Sequence, residues 1–305
     1  MSDATDTKGN FRSGFVSLVG RPNVGKSTLL NQLVGKKVSI VSDRPQTTRN
    51  QIRGVRTTPA SQIVFVDTPG IHKPRTLMGE RANERALATL REVDVIAFLV
   101  EANAPLGRGD RYIAELVSRV DTPKLLVVNK VDVASKDAVF EHLAVASNEF
   151  GAFDAYVPLS ATTGEGVDAL VEEIEARLEP GPHFYPEGVV SDQPETVLAA
   201  ELLREKLLAV AREELPHSIA VTTDEFEERE RPDGPLLVFH VTVRVERTSQ
   251  RGIVIGHNGS VLKAAGTAAR LELEALLGVR VHLETRVKVD PDWQRRAHAL
   301  DRLGL

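Results

Sequence analysis

The chain has 305 residues, 42% of them hydrophobic, which is enough for two cores, since domains typically run about 100 to 200 residues. It has no Cys, which excludes disulfides and Cys-held metals and suits a reducing compartment. A net charge of -5 gives no global attraction to nucleic acid. The longest apolar runs, such as 93–100, fall far short of the roughly 20 residues that span a bilayer, so the sequence reads as soluble and cytoplasmic. Residues 1–12 lack the apolar core of a signal peptide.

The first pattern in chain order is the apolar run Phe15-Val16-Ser17-Leu18-Val19, which leads into Gly20-Arg21-Pro22-Asn23-Val24-Gly25-Lys26-Ser27-Thr28. This fits G-x-x-x-x-G-K-[ST] between a strand and a helix that continues through Leu29, Leu30 and Leu33. The glycines let backbone N–H groups close on phosphate oxygens at the positive end of a helix starting near Lys26. Lys26 brings a point charge for β- and γ-phosphates, and Ser27 a hydroxyl suited to Mg²⁺. Further on, Pro45-Gln46-Thr47-Thr48-Arg49 is polar and aperiodic. A hydroxyl there reaches Mg²⁺ only when a γ-phosphate is present, which would make the stretch an order-disorder switch.

A second apolar strand, Ile63-Val64-Phe65-Val66, ends in Asp67-Thr68-Pro69-Gly70. A carboxylate at that strand end supports Mg²⁺ beside the phosphate loop, and Gly70 lets its N–H approach a γ-phosphate. The next residue is Ile71, where many switch proteins carry a water-orienting Gln. An aliphatic side chain neither accepts a proton nor holds a water in line, so intrinsic hydrolysis should be slow. Two more strand patterns cover 95–100 and 125–128, the latter ending in Asn129-Lys130-Val131-Asp132. The carboxylate of N-K-x-D accepts from both N1–H and the exocyclic amine of guanine, a pairing adenine cannot make. A fifth edge, Tyr156-Val157-Pro158-Leu159, ends in Ser160-Ala161, and Val167, Leu170, Val171, Ile174 and Leu178 then recur at helical spacing. Parallel strands separated by helices, with each motif at a strand's carboxyl end, predict a doubly wound α/β sheet with its ligand crevice there.

The breaker-rich stretch 179–188 marks a domain junction. The expected division is a flexible tail over 1–13, a nucleotide domain over 14–180, a linker over 181–194 and a second domain over 195–305. In that second domain, 195–214 reads as an amphipathic helix stopped by Pro216, with strands at 218–223, 236–245 and 279–289. The acidic stretch 224–234 reads as an exposed connection. Gly252-Ile253-Val254-Ile255-Gly256-His257-Asn258-Gly259-Ser260-Val261-Leu262-Lys263 carries an apolar run broken by G-x-x-G, with a helix resuming to about Leu277. Such a turn clamps the backbone of about four unpaired nucleotides in a KH module. Over 244–270, Arg244, Arg247, Arg251, Lys263 and Arg270 stand against Glu246 alone, a basic region suited to phosphate contacts. Arg251, Ile255, Gly256, His257, Asn258, Gly259 and Lys263 are the expected RNA contacts. Trp293 reads as the anchor of a terminal helix.

Taken in order, the motifs at 20–27, 47–48, 67–70, 129–132 and 160–161 resemble those of the translation-factor-related GTPases. With Gln46-Thr47-Thr48-Arg49 and the second half, the chain resembles the Era-like GTPases of bacterial ribosome assembly from about Gly14 to about Leu303. That resemblance implies a P-loop GTPase domain followed by an α+β type II KH domain, GTP and GDP with Mg²⁺ as ligands, and a monomer. It makes Thr48 the switch threonine on Mg²⁺ beside Ser27 and Asp67, and gives Ser160 and Ala161 to the guanine. Asn23 would help to hold a K⁺ that, with Lys26, Thr48 and Gly70, stabilises the transition state. The implied partner is the 3′ end of small-subunit ribosomal RNA in the assembling small subunit. Loose peripheral association with the inner face of the cell membrane is also implied, although no amphipathic basic helix here would carry it. One departure from the KH pattern stands out: the variable G-x-x-G positions are His257 and Asn258, where many KH loops have Lys or Arg, with Arg251 and Lys263 as compensating charges. A rival reading is a GTP switch whose KH-like domain binds protein, against which Gly256 and Gly259 count; a GTPase assisting RNA modification would lack the usual Cys nucleophile.

Overall fold

The computed structural model describes residues 11–42, 48–49, 51–72, 74, 76–210, 218–232 and 234–305. Gln46, Thr47, Lys73, Pro216 and most of the expected N-terminal tail lie outside the described residues. Contacts divide the chain into two units: Met1–Ser39 with Thr48–Pro74 and Arg81–Asp192, and Ile40–Thr47 with Arg75–Glu80 and Gln193–Leu305.

The first unit is built on β1 (Arg12–Gly20), α1 (Lys26–Val34), β2 (Ile52–Thr57), β3 (Ser61–Asp67), α2 (Leu77–Thr89), β4 (Val95–Glu101), α3 (Arg108–Ser118), β5 (Lys124–Asn129), α4 (Lys136–Glu149), β6 (Ala155–Pro158) and α5 (Val167–Glu175). Its six strands run in the order β2-β3-β1-β4-β5-β6, all parallel except β2 against β3. The central strands carry unbroken apolar runs such as Ile63-Val64-Phe65-Val66, because both their faces are covered. One face packs on Leu29, Leu30 and Leu33 of α1 and Leu170, Val171 and Ile174 of α5. The other packs on Ala86, Ile113, Val117 and Ala146 of α2, α3 and α4. This is the doubly wound sheet expected, with strand order reversing around β1 and so opening a crevice at the carboxyl ends.

Strand β2 had no counterpart in the sequence reading. Arg53, Gly54 and Arg56 break its apolar pattern, and it exists by pairing with β3, Val55 opposite Val64. The breaker-rich stretch after α5 belongs to this unit: buried Gln62 accepts from the backbone N–H of Phe184 and Tyr185 at 2.6 and 2.9 Å, and Val55 N–H donates to Val190 C=O at 2.9 Å. These bonds satisfy backbone groups that proline- and glycine-rich chain leaves outside regular structure.

The second unit holds α6 (Glu195–Val210), β7 (Ala220–Arg229), β8 (Leu236–Val245), α7 (Thr248–Ile255), α8 (Ser260–Leu277), β9 (Arg280–Val289) and α9 (Ala297–Leu303). Its sheet runs β7-β8-β9, the first pair antiparallel and the second parallel. The order helix, two strands, two helices, strand is that of the expected type II KH fold. Alternation along β8 sends Leu237, Phe239, Val241, Val243 and Val245 toward α6 and α8, where they meet Leu203, Leu207, Ala269 and Leu273. Fully buried Trp293 donates its indole N–H to Ser218 C=O at 3.1 Å and packs on Ala299, Leu300 and Leu303, the expected anchor of the terminal helix.

Two sequence expectations fail here. The stretch 224–234 is not simply a connection, since β7 continues to Arg229. An edge strand with solvent on both sides of its outer half needs no apolar alternation, so Glu225, Glu227 and Glu228 disguise it. Asp224 sits at a bulge between Thr223 and Glu225, where Thr242 and Arg286 donate to one oxygen at 2.7 and 2.5 Å and Thr222 to the other at 2.9 Å. Burial alone would raise this carboxyl; the bonds from Arg286, Thr242 and Thr222 and the charge of Arg244 outweigh it and hold it below the usual Asp range. The second failure is the basic count over 244–270. Arg244 is buried against Asp224 at 3.4 Å, and Arg270 pairs with Glu274 at 2.7 Å, so neither adds outward charge.

Candidate functional site

In the first unit the crevice is assembled by loops that cannot be built from other residues. Gly25 adopts φ 97°, and a Cβ there would meet Asn129 Nδ2 at 2.3 Å; Gly70 packs so closely that a Cβ would lie 2.7 Å from Pro22 N. Helix α1 starts at Lys26 with Gly25 as its N-cap, no capping side chain and no acidic residue in its first turn. Its leading N–H groups and the dipole are therefore available to an anion.

Lys26 is buried, with Nζ bonded to Gly20 C=O at 3.3 Å and Arg21 C=O at 3.0 Å. Burial lowers its ammonium to about 8, opposed by attraction to Asp67. Asp67 has no solvent exposure, and burial raises its carboxyl against the pull of Lys26 and the hydroxyls of Ser27, Thr48 and Ser39. A bound phosphate would favour the charged form of Lys26, and a cation that of Asp67.

Asp67 Oδ2 accepts from Ser27 Oγ at 2.7 Å and Thr48 Oγ1 at 3.1 Å, and the two hydroxyl oxygens are 2.9 Å apart. Asp67 Oδ1 is buried and accepts no hydrogen bond among the described residues. A hydroxyl donates one hydrogen while keeping lone pairs, so Ser27 and Thr48 can satisfy Asp67 and still face a cation. Two hydroxyls and a carboxylate, all oxygen donors, fit Mg²⁺.

The base side is tied together from three loops. Asn129 Nδ2 donates to Val24 C=O at 2.7 Å, and Asn129 Oδ1 accepts from Ala161 N–H at 2.9 Å. Lys130, at φ 70°, donates to Asn23 C=O at 2.9 Å and pairs with Glu101. Val131 N–H reaches Leu159 C=O at 3.3 Å, and Asp132 stands exposed in the turn Val131–Val133. Buried Ser160 accepts Thr163 N–H at 3.1 Å, shaping the loop below Asp132. Thr68 bonds Leu18 C=O at 3.0 Å, and Pro69 is buried beside it. Thr28 lies in the first turn of α1. Asn23 is exposed at φ 66° at the tip of the phosphate loop. The Arg21 side chain is bound to Asp110 at 2.7 Å, so this residue offers the crevice only its backbone. Ile71 is buried in the core with its N–H on Gly20 C=O at 3.3 Å.

Sequence reasoning missed Ser39, whose hydroxyl also reaches Asp67 Oδ2 at 3.3 Å, and Asn31, which binds the backbone of Ser39. It missed Glu101, the counterion of Lys130. A lone Ser, Asn or Glu has no spacing signal; only the tertiary fold brings each to the crevice.

In the second unit, α7 stops at Gly256, whose φ 74° and ψ 176° belong to a region that is essentially glycine-only. His257, Asn258 and Gly259 form one tight turn, with Asn258 and Gly259 both at positive φ, and α8 begins at Ser260 without an acidic residue in its first turn. His257 and Asn258 are exposed at the tip, and Ile255 is half-buried. Arg251 and Lys263 are exposed and, among the described residues, make no ion pair, so the two charges flanking the turn remain available. Gln250 caps α7 by accepting from Glu246 and Arg247 N–H at 3.0 and 2.9 Å.

The comparisons agree with both halves. Residues 15–130 match a family described as 50S ribosome-binding GTPase, and 214–294 match KH domain. The chain is 48% identical to GTPase Era of Geobacter metallireducens, covering 96% of this chain and 98% of that one. It is 50% identical to GTPase Era of Mycobacterium sp. (strain JLS), covering 96% and 99%. A crystal structure of Era with MgGDPNP and nucleotides 1506–1542 of 16S ribosomal RNA superposes with a TM-score of 0.92 at 39% identity, covering 96% and 99%. Identity near one half over almost the whole length, on the same two-unit architecture, settles the assignment: the chain belongs to the Era family of GTPases.

Proposed function

We propose that this chain is a slowly hydrolysing GTP switch that holds the unpaired 3′ end of small-subunit ribosomal RNA during assembly of the small subunit. The observation that carries the nucleotide half is the convergence of Lys26, Ser27, Thr48 and Asp67, from three separate stretches, on one buried crevice. The domain division is a GTPase domain over 14–180, a connecting stretch over 181–194 whose residues up to Asp192 pack with that domain, and an RNA-binding domain over 195–305.

Backbone N–H groups of residues 20–28 would cradle the phosphates, with Lys26 against the β- and γ-oxygens. Ser27, Thr48 and Asp67 would hold Mg²⁺, which would supply positive charge against that of the phosphates. The segment 67–71 would follow the γ-phosphate through Gly70 N–H. Asn129 and Lys130 would brace the loops against the base, Asp132 would accept its two N–H groups, and Ser160 and Ala161 would close its edge. With Ile71 buried, no side chain at that position orients water, so the intrinsic rate stays low. We assign Asn23 to K⁺, whose added charge would stabilise the transition state. GTP turnover should therefore be faster in KCl than in NaCl at equal ionic strength, and equal rates would remove Asn23 from that role.

For RNA, the turn His257–Gly259 would clamp the sugar-phosphate backbone, with Ile255 against a base and Arg251 and Lys263 on phosphates. The relative solved with MgGDPNP and a 16S segment supports both ligands. Gly259 gives the cleaner test, because no atom lies within 4 Å of a Cβ there and its φ of 77° is one that Asn and Asp tolerate. Gly259→Asp should weaken a single-stranded 16S 3′-end RNA at least about tenfold, with Gly259→Asn far milder, as like charge at a phosphate clamp requires. Unchanged affinity of Gly259→Asp would favour a protein partner for this unit.

Such a protein works in the cytoplasm. Among the described residues no helix is long and apolar enough to cross a membrane, and any loose contact with the inner membrane face would be peripheral.

A further inference from the structure

The carboxylate of Asp67 has a third partner that the nucleotide reading leaves unused. Ser39 Oγ donates to the same Oδ2 that accepts from Ser27 and Thr48, at 3.3 Å, and Ser39 is itself buried. The position of Ser39 is set from α1. Asn31 Oδ1 accepts from Val38 N–H and Ser39 N–H, both at 2.9 Å, and Asn31 Nδ2 donates to Ser39 C=O at 2.8 Å. One amide side chain thus satisfies both backbone groups of Ser39, in a stretch that has no helix or strand to do so. Asn near the end of a helix is a poor helix former, and here its side chain leaves the helix to serve the chain beyond it.

We infer that Ser39, fixed in place by Asn31, is a positioning residue for the divalent cation: it orients the Asp67 carboxylate while Ser27 and Thr48 face the ion. The inference rests on the reading of Ser27, Thr48 and Asp67 as the Mg²⁺ site. A hydroxyl that acts as a metal ligand is shared between the ion and the carboxylate. Ser39 has both backbone groups held by Asn31, so its hydroxyl is offered to Asp67 from a fixed position. Ser39 and Thr48 thus reach the same carboxylate oxygen from two different stretches of the chain. Partners that orient a metal-binding group commonly change metal affinity by about 10- to 100-fold when removed.

The test is a Mg²⁺ titration of fluorescent GDP affinity on the full chain, with a parallel measurement in EDTA. Ser39→Ala should raise the Mg²⁺ concentration for half-maximal tightening about tenfold, while affinity in EDTA stays within about twofold of the parent. Asn31→Ala should show the same shift, and Ser39→Thr, which keeps the hydroxyl, should restore the parent curve. If the alanine variant is unstable, Ser39→Cys keeps the volume with a weak donor and should give the same rightward shift. Ser27→Ala is the reference. If it loses Mg²⁺ dependence while Ser39→Ala titrates like the parent, or weakens GDP equally in EDTA, the inference is overturned and the metal site stands. If Ser27→Ala also titrates like the parent, the metal-site reading itself falls.

Discussion

Asp132→Asn is expected to exchange the preferred nucleotide from GTP to xanthosine triphosphate. Asp132 is exposed at the mouth of the crevice, held in a turn by Val131 N–H on Leu159 C=O, with Asn129 and Lys130 pinning the phosphate loop behind it. An ionised carboxylate accepts two N–H groups from guanine. An amide at that place presents one donor and one acceptor, which suits the xanthine edge and leaves a guanine donor unpaired. Sites built around such a pairing reject the mismatched partner by about 10⁴-fold or more, so the ratio of the two affinities should swing by at least about 10³. Competition of both triphosphates against fluorescent GDP reads that ratio directly. A variant that kept the parent's GTP preference would place the base elsewhere.

Lys26→Met should bind GTP at least about 100-fold more weakly and hydrolyse it too slowly to measure. Among the described residues Lys26 is the cation buried against the phosphate loop, and methionine of similar length fills its volume without the charge. Losing one preorganised charge at the reacting phosphate typically costs about 10²- to 10³-fold in turnover. The thermal midpoint should hold or rise, because burial already opposes the ammonium and brings it to about 8. Single-turnover hydrolysis with a melting curve on the same sample separates the two effects. Parental turnover from a folded Met variant would remove Lys26 from the phosphates.

The sequence declared the crevice because its parts are local. Gly20 to Ser27, Asp67 to Gly70 and Asn129 to Asp132 each combine a strand end with a fixed short spacing, and the sheet brings strand ends together wherever the helices between them lie. What escaped was set at long range. Ser39 meets Asp67 across 28 positions, and Lys130 meets Glu101 across 29, with nothing in either local pattern to announce it. Strand β2 escaped because its order comes from pairing with β3 rather than from its own Arg- and Gly-containing sequence. The outer half of β7 reads as a connection because an edge strand tolerates consecutive glutamates. The basic run around the G-x-x-G turn misleads for a related reason: the partners of Arg244 and Arg270 are Asp224 and Glu274, both outside 244–270. Gly256 and Gly259, by contrast, were legible, since only a turn with positive φ gives two glycines at that spacing between two helices a reason to exist.

The most direct test of the switch is the affinity of a single-stranded 16S 3′-end RNA measured on one preparation when empty, loaded with GDP and loaded with a non-hydrolysable GTP analogue. Coupling between two sites is typically worth about 5- to 150-fold in affinity, and reciprocity demands that the RNA tighten the GTP analogue by the same factor. The account predicts tighter RNA binding in the triphosphate state by at least about fivefold, with the matching change in nucleotide affinity. Equal RNA affinity in all three states would contradict it.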